Sequence, residues 1–133
     1  MDEKNTRIRM RFNAQINKAI QEFKLVNFGN KDMPVPDSFI LTEAYKKIKS
    51  KIELIDWEKI SEVNLSTLSQ NNDNYTPVNT TLSLDQDTLS GYKELQNKLH
   101  SIANSRIFLS YVVKLVLFSA VLESKGELNK YYK

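Results

Sequence analysis

The chain contains no cysteine and a single histidine among its 133 residues. The lack of cysteine excludes disulfide bonds and thiolate metal sites, and it fits a reducing cytosol. His100 cannot build a metal cluster by itself. Three glycines are too few for a glycine-rich phosphate loop, and the Ser, His and acidic residues show no spacing that pairs a nucleophile with its base. We therefore expect no enzymatic activity, no metal and no cofactor.

Long apolar runs are also missing. The N-terminal stretch MDEKNTRIRMRF is charged where a signal peptide needs an apolar core. The most apolar stretch, residues 107–122, is shorter than the roughly 20 residues that span a bilayer, and Lys114 lies in its middle. We expect a buried helix there, in a soluble, cytoplasmic protein with no membrane segment. The net charge of +3 is too small to indicate a nucleic-acid partner by itself.

A short alternating segment, TRIRMRF, occupies residues 6–12. Its period of two predicts a strand with one buried face. The polar face of this strand carries Arg7, Arg9 and Arg11. The opposite, apolar face carries Ile8, Met10 and Phe12. Asn13 is a suitable N-cap for the helix that the apolar spacing of residues 14–26 predicts.

The remainder of the first half is predicted to be a loop and a second helix. A glycine and two prolines between residues 27 and 36 indicate the loop. Asp37 or Ser38 is expected to cap the helix, whose apolar pattern continues to about Ile60. Residues 63–77 are rich in Ser, Asn and Thr, so this stretch is predicted to be a linker.

The same order of elements then recurs. Residues 78–84 alternate again and predict a second strand. Its polar face carries Asn79, Thr81 and Ser83. Its inward face carries Thr80, Leu82 and Leu84. Asp85 is expected to cap a third helix, whose apolar face continues to Ile102.

A last helix is expected from about Arg106 to Ser124. Asn104 or Ser105 would cap its start, and Gly126 lies just past its end, where glycine is favoured. The chain therefore has the order strand, helix, helix, linker, strand, helix, helix, which is an internal repeat.

An offset of 72, which places Arg9 on Thr81 and Asn13 on Asp85, aligns the strands and the first helices of the two halves. The second helices are expected to align at an offset of 67, which places Ser38 on Ser105. We expect the halves to form one intertwined domain. The predicted organisation is a first half at 1–62, a linker at 63–77, a second half at 78–125 and a tail at 126–133.

The segments RIRMRFNAQINKAI and DSFILTEAYKKI, with TTLSLDQDTLSGYKEL and NSRIFLSYVVKL, resemble the ribbon-helix-helix family of DNA-binding proteins. The resemblance implies a mainly α fold with short β-strands, in which a two-stranded antiparallel ribbon lies on a four-helix core and enters the DNA major groove. Two motifs in one chain are similar to TraY-type relaxosome accessory proteins of plasmid conjugation, which bind near an origin of transfer. Pro34 and Pro36 depart from the short glycine-containing turn of many members.

The resemblance also implies which residues contact DNA and which partners bind. The base contacts would be Arg7, Arg9, Arg11, Asn79, Thr81 and Ser83. The start of each second helix would face a phosphate, which gives Ser38, Asn104, Ser105 and Arg106 as phosphate contacts. The implied partners are double-stranded DNA, as direct repeats or a non-palindromic site, and a relaxase or coupling protein.

Charge bears on how the strands pair. Two arginine strands from two chains would crowd six guanidinium groups on one ribbon, and like charges directly opposite are destabilising. We therefore predict pairing between the two halves of one chain, which gives a pseudo-symmetric monomer, with homotypic pairing between chains as the alternative. The alternative functions are a small transcriptional repressor of the same fold and a helical interaction module or antitoxin that reads no DNA.

Overall fold

The computed structural model describes residues 5–63 and 77–133, so the predicted linker lies almost wholly outside the described residues. These parts are mainly helical and contain one two-stranded antiparallel sheet, which confirms the predicted class of mainly α with short β. The strands are β1 (Thr6–Phe12) and β2 (Val78–Leu84). The helices are α1 (Ala14–Phe28), α2 (Asp37–Ile48), α3 (Trp57–Ser61), α4 (Gln86–Ala103) and α5 (Leu109–Ser124), with 3-10 turns at Lys49–Lys51 and Leu128–Tyr131.

Side-chain caps fix where the helices after the two strands begin. The Asn13 side chain accepts a hydrogen bond from the backbone N–H of Ile16 at 2.9 Å. Asp85 accepts one from the backbone N–H of Thr88 at 3.3 Å and a second from the Thr88 hydroxyl at 2.7 Å. Each backbone bond satisfies a donor that has no partner within its helix. Both predicted N-caps are therefore confirmed.

The offset of 72 residues that was predicted for the strands and the first helices also relates the second helices. The paired elements begin at equivalent residues, which are Thr6 and Val78 for β1 and β2, Ala14 and Gln86 for α1 and α4, and Asp37 and Leu109 for α2 and α5. At this offset the five buried positions of α2 correspond to five buried positions of α5. The predicted offset of 67 for the second helices is therefore wrong.

The starts of α2 and α5 also differ from prediction. α2 has Pro36 and α5 has Phe108 as N-cap residue, and neither makes a side-chain capping bond. Asn104 instead ends α4 in the left-handed conformation, with φ 55°. Asparagine tolerates this conformation better than most residues, so Asn104, one of the two predicted N-caps of the last helix, is the C-cap of α4.

The predicted long second helix is broken after Ile48. Its continuation is a 3-10 turn followed by the short helix α3, which Asp56 caps. Ile55 forms an antiparallel bridge with Tyr132, and the Asp56 N–H donates to the Tyr131 carbonyl at 2.7 Å. This pairing requires an extended backbone at Ile55, so a continuous helix to Ile60 is excluded. The C-terminal segment, expected to be a tail, packs on the fold through the buried Leu128.

The core lies between the inward face of the ribbon and the helices. Met10, Phe12, Leu82 and Leu84 are buried beneath the ribbon. α5 is buried almost all around and packs against both α1 and α2, as expected for the most apolar stretch of the chain. Among residues 5–63 and 77–133, no helix combines the length and apolarity that crossing a membrane requires.

Candidate nucleic-acid interface

The ribbon presents all six predicted base-contact residues on one exposed face. The strands pair within the chain and antiparallel. Their register places Arg7 opposite Ser83, Arg9 opposite Thr81 and Arg11 opposite Asn79. Each arginine therefore faces a neutral polar residue.

The register also gives the ribbon a pseudo-twofold axis. Arg9 and Thr81 are directly opposite each other, and they are also equivalent residues of the internal repeat. The axis therefore passes between these two residues. A rotation about it exchanges Arg7 with Asn79 and Arg11 with Ser83, so each arginine has a neutral counterpart.

The three arginines make no side-chain hydrogen bond to residues 5–63 or 77–133. In the part of the chain that the structure describes, none of them forms an ion pair. A guanidinium can donate two parallel bonds to O6 and N7 of guanine, and Asn can pair similarly with adenine. A two-stranded β-ribbon fits the width of the major groove, so the geometry of this face allows direct contact with base edges.

The predicted phosphate contacts lie in different settings. Ser38 is in the first turn of α2 and borders a cavity beside the ribbon. Asn104, Ser105 and Arg106 precede the first residue of α5 by three to five positions, so they are not at its first turn. The Arg106 guanidinium lies 5.1 Å from the ring centroid of Phe108.

An open cavity of about 610 Å³ lies between α2 and the junction of β2 with α4. Ser83 borders it from the ribbon and Ser38 and Thr42 from α2. Its charged residues are Glu43, Lys46, Lys49, Asp85 and Asp87. The hydrogen bond from the Thr88 hydroxyl is the main cause that lowers the pKa of Asp85. Three carboxylates and two lysines therefore give this side of the ribbon both signs of charge.

Lys114 is a candidate residue that sequence reasoning missed. Its ammonium group lies 4.6 Å from the ring centroid of Tyr111 and donates to Oε1 of Gln15 at 3.2 Å. Burial lowers the pKa of Lys114. In the sequence this lysine is only a charge inside an apolar run. If the offset of 72 had been applied to the second helices as well, Lys114 would have been matched with Thr42, which borders the cavity beside the ribbon.

Comparison with protein-family models, curated proteins and solved structures finds no match to this chain. The residues that the structure describes contain no group of three or more His, Cys, Asp or Glu side chains that could hold a metal ion.

Proposed function

We propose that this chain is a sequence-specific double-stranded DNA-binding protein with a tandem ribbon-helix-helix fold. In this proposal the β1–β2 ribbon enters the major groove and its exposed face reads base edges. The observation that carries the proposal is the register of the ribbon, in which three exposed arginines alternate with three neutral polar partners on one face. The resemblance of both halves to the ribbon-helix-helix family supports the same function.

A buried inward face supports DNA reading over a solvated arginine surface. Met10 and Leu82 are 8% and 4% exposed, so the ribbon packs on the core through these residues while its polar face stays exposed. A ribbon held in this way fixes the backbone from which these side chains extend, so no ordering of the backbone is needed when they contact bases. A bidentate contact contributes about 1–3 kcal/mol of base discrimination.

The unequal strands indicate the form of the DNA site. Because the pseudo-twofold axis exchanges each arginine with a neutral residue, the two ends of the ribbon present different side chains, and the preferred sequence is non-palindromic. We expect guanines where the arginines of β1 contact the site and different bases where the equivalent residues of β2 contact it. One chain supplies both strands, so we expect a folded monomer in solution, and light scattering would measure its mass with and without DNA.

Two biological roles fit such a protein. The tandem arrangement favours an accessory factor at a plasmid origin of transfer, with a relaxase or coupling protein as second partner, acting in the cytoplasm. A transcriptional repressor of the same fold is the alternative. A preferred site beside direct repeats and a relaxase gene would support the first role, and a site within the promoter of its own gene would support the second.

The test of DNA reading starts with selection from a random double-stranded library. Arg9→Ala and Thr81→Ala should each weaken binding to the selected site and relax its sequence preference, about tenfold or more for Arg9→Ala. The melting temperature should hardly change because both side chains are exposed. Lys130→Ala is the matched control, since it removes one positive charge from the C-terminal turn, which packs near residues 54–56.

Two outcomes would contradict the proposal. One is a wild-type chain that prefers no DNA fragment over another at physiological salt. The other is a sharp fall in the melting temperature of Arg9→Ala, which would give the arginine a structural role. Binding should also weaken steeply with salt, because phosphate contacts release counterions.

A further inference from the structure

We propose that the ribbon contacts the DNA backbone unequally on its two sides, and that Lys114 is the residue that makes the stronger contact. This inference rests on the proposed DNA-binding function. It follows from comparing the two sides of the ribbon, which the pseudo-twofold axis makes equivalent in position. Neither Lys114 nor this difference between the sides is evident from the strand residues.

The two sides are defined by equivalent residues. The α2 flank comprises Ser38, Thr42, Glu43, Ser83, Asp85 and Asp87, all of which border the cavity described above. The α5 flank comprises their equivalents in the repeat, which are Ser110, Lys114, Leu115, Arg11, Asn13 and Gln15. The hydrogen bond between Lys114 and Gln15 joins α5 to α1 on this second side.

The two flanks differ in the charges that they carry. The three carboxylates of the α2 flank have neutral counterparts on the α5 flank. Ser83 and Thr42 of the α2 flank have Arg11 and Lys114 as counterparts. Lys46 and Lys49 also border the α2 cavity, and Lys46 lies 3.9 Å from Glu43. The α2 side therefore mixes both signs of charge, whereas the α5 flank carries two cations and no carboxylate.

The geometry around Lys114 holds its ammonium group in place. Its nitrogen lies 4.6 Å from the Tyr111 ring centroid and 5.9 Å from that of Phe118, which are distances of cation–π contact. Oε1 of Gln15 accepts a hydrogen bond from one of the three N–H groups of Lys114. Neither the aromatic rings nor the amide carries a negative charge, and the ammonium group has no carboxylate partner in the described part of the chain.

A partly buried cation without a counter-ion is a suitable phosphate ligand. Its side chain is already restricted, so less conformational entropy is lost on binding. A phosphate beside it would provide the negative charge that Tyr111 and Gln15 do not. Because Arg11 belongs to the same flank, the end of β1 would read a base next to the phosphate that Lys114 contacts. The base contacts set the orientation of the chain on a non-palindromic site, so the phosphate that Lys114 contacts would lie on a fixed side of that site.

The experiment uses the wild-type protein on its selected site, with hydroxyl-radical footprinting and binding over a range of salt. We expect backbone protection to be stronger on one side of the contacted bases. Lys114→Met keeps an unbranched apolar stem over Tyr111. This variant should lose the stronger backbone protection on that side while keeping the base preference. The negative slope of log affinity against log salt should become shallower by about 0.9, which corresponds to the loss of one phosphate contact.

Two variants serve as controls. Lys114→Arg should keep the stronger protection because it keeps the cation, and Lys130→Met should match the wild type. Thermal melts would show that Lys114→Met is folded. If Lys114→Met is unfolded, the wild-type footprint alone tests the inference. Equal backbone protection on both sides of the contacted bases would overturn it.

Failure of this inference can be told apart from failure of the proposed function. If the wild type selects a site and Lys114→Met binds like Lys130→Met, only the role of Lys114 is wrong. Loss of base preference in Lys114→Met would also overturn it, since a phosphate contact carries no base information. If the wild type selects no site, the DNA-binding proposal falls together with this inference.

Discussion

Arg9 lies directly opposite Thr81 at the centre of the ribbon, and the two residues occupy equivalent positions in the internal repeat. In a symmetric homodimer, the residue at this position would face a copy of itself. Because both strands belong to one chain here, a cation can face a neutral residue. The covalent link between the halves thus permits three arginines on one strand without placing guanidinium groups directly opposite one another.

The first prediction concerns this central pair. Thr81→Arg should destabilise the fold by up to about 1 kcal/mol, because like charges directly opposite on a ribbon repel. Thr81→Gln, which is long and neutral, should stay close to the wild type. Urea unfolding at low and high salt would measure both, and the difference between the variants should shrink as salt screens the charges. Equal stability of the two variants at low salt would contradict the register.

A second prediction concerns Gly91 and Tyr45. A Cβ atom at Gly91 would overlap the ring of Tyr45, which also packs on Tyr92 with ring centroids 5.6 Å apart. Gly91→Ala should therefore lower stability by about 1–3 kcal/mol through overpacking, although alanine favours the helix by up to about 1 kcal/mol.

The other half suggests the matched control, because Ala19 and Leu117 occupy the positions there that Gly91 and Tyr45 occupy here. In a Tyr45→Leu background, Gly91→Ala should become neutral or stabilising because the ring is gone and helix propensity remains. Thermal or urea unfolding of the four proteins in this cycle gives the coupling energy. Additive effects would mean that the two residues do not compete for space.

A third prediction concerns the pH dependence of the cap at Asp85. Its pKa is lower in the folded chain than the ordinary value of 3.8. The stabilisation from its ionised form is therefore complete above that value and is lost as the pH falls through the folded pKa. Asp85→Asn should be about as stable as the wild type at pH 7, because Asn13 caps α1 in the same way, and should lose less stability in acid.

Asp85→Ala separates the cap from its charge. It removes the acceptor for the Thr88 N–H, so it should cost about 1 kcal/mol at pH 7. Urea unfolding of the wild type and both variants at pH 7 and pH 3 checks this prediction. An Asn variant as acid-sensitive as the wild type would assign the sensitivity to other carboxyl groups.

A fourth prediction concerns the ion pair between Glu22 and Lys125. Glu22 is 2% exposed, and Lys125 donates to its Oε2 at 2.9 Å. Lys125→Met leaves the buried carboxylate without its counter-ion and should destabilise the fold by about 3 kcal/mol. The double variant Glu22→Met with Lys125→Met should recover most of this loss, since buried ion pairs can often be replaced by apolar residues. A double variant less stable than the single one would contradict this account.

Local patterns in the sequence determined the strands, their faces and two helix starts. The predicted ranges 6–12 and 78–84 are the observed strands, because alternation with a period of two specifies a strand and its buried side within a few residues. Asn13 and Asp85 begin their helices because a capping side chain acts on backbone groups only three residues away.

Tertiary structure decided the rest. The apolar pattern continues past the end of α2 at Ile48, but the C-terminal segment pairs with Ile55 and Asp56 across the chain, which excludes a continuous helix to Ile60. α5 begins at Leu109 with no side-chain cap to mark it. The setting of Lys114, with Gln15 from another helix beside it, likewise depends on packing between distant segments. Periodicity and caps are local signals, whereas contacts between residues far apart in sequence depend on which surfaces meet when the halves fold together.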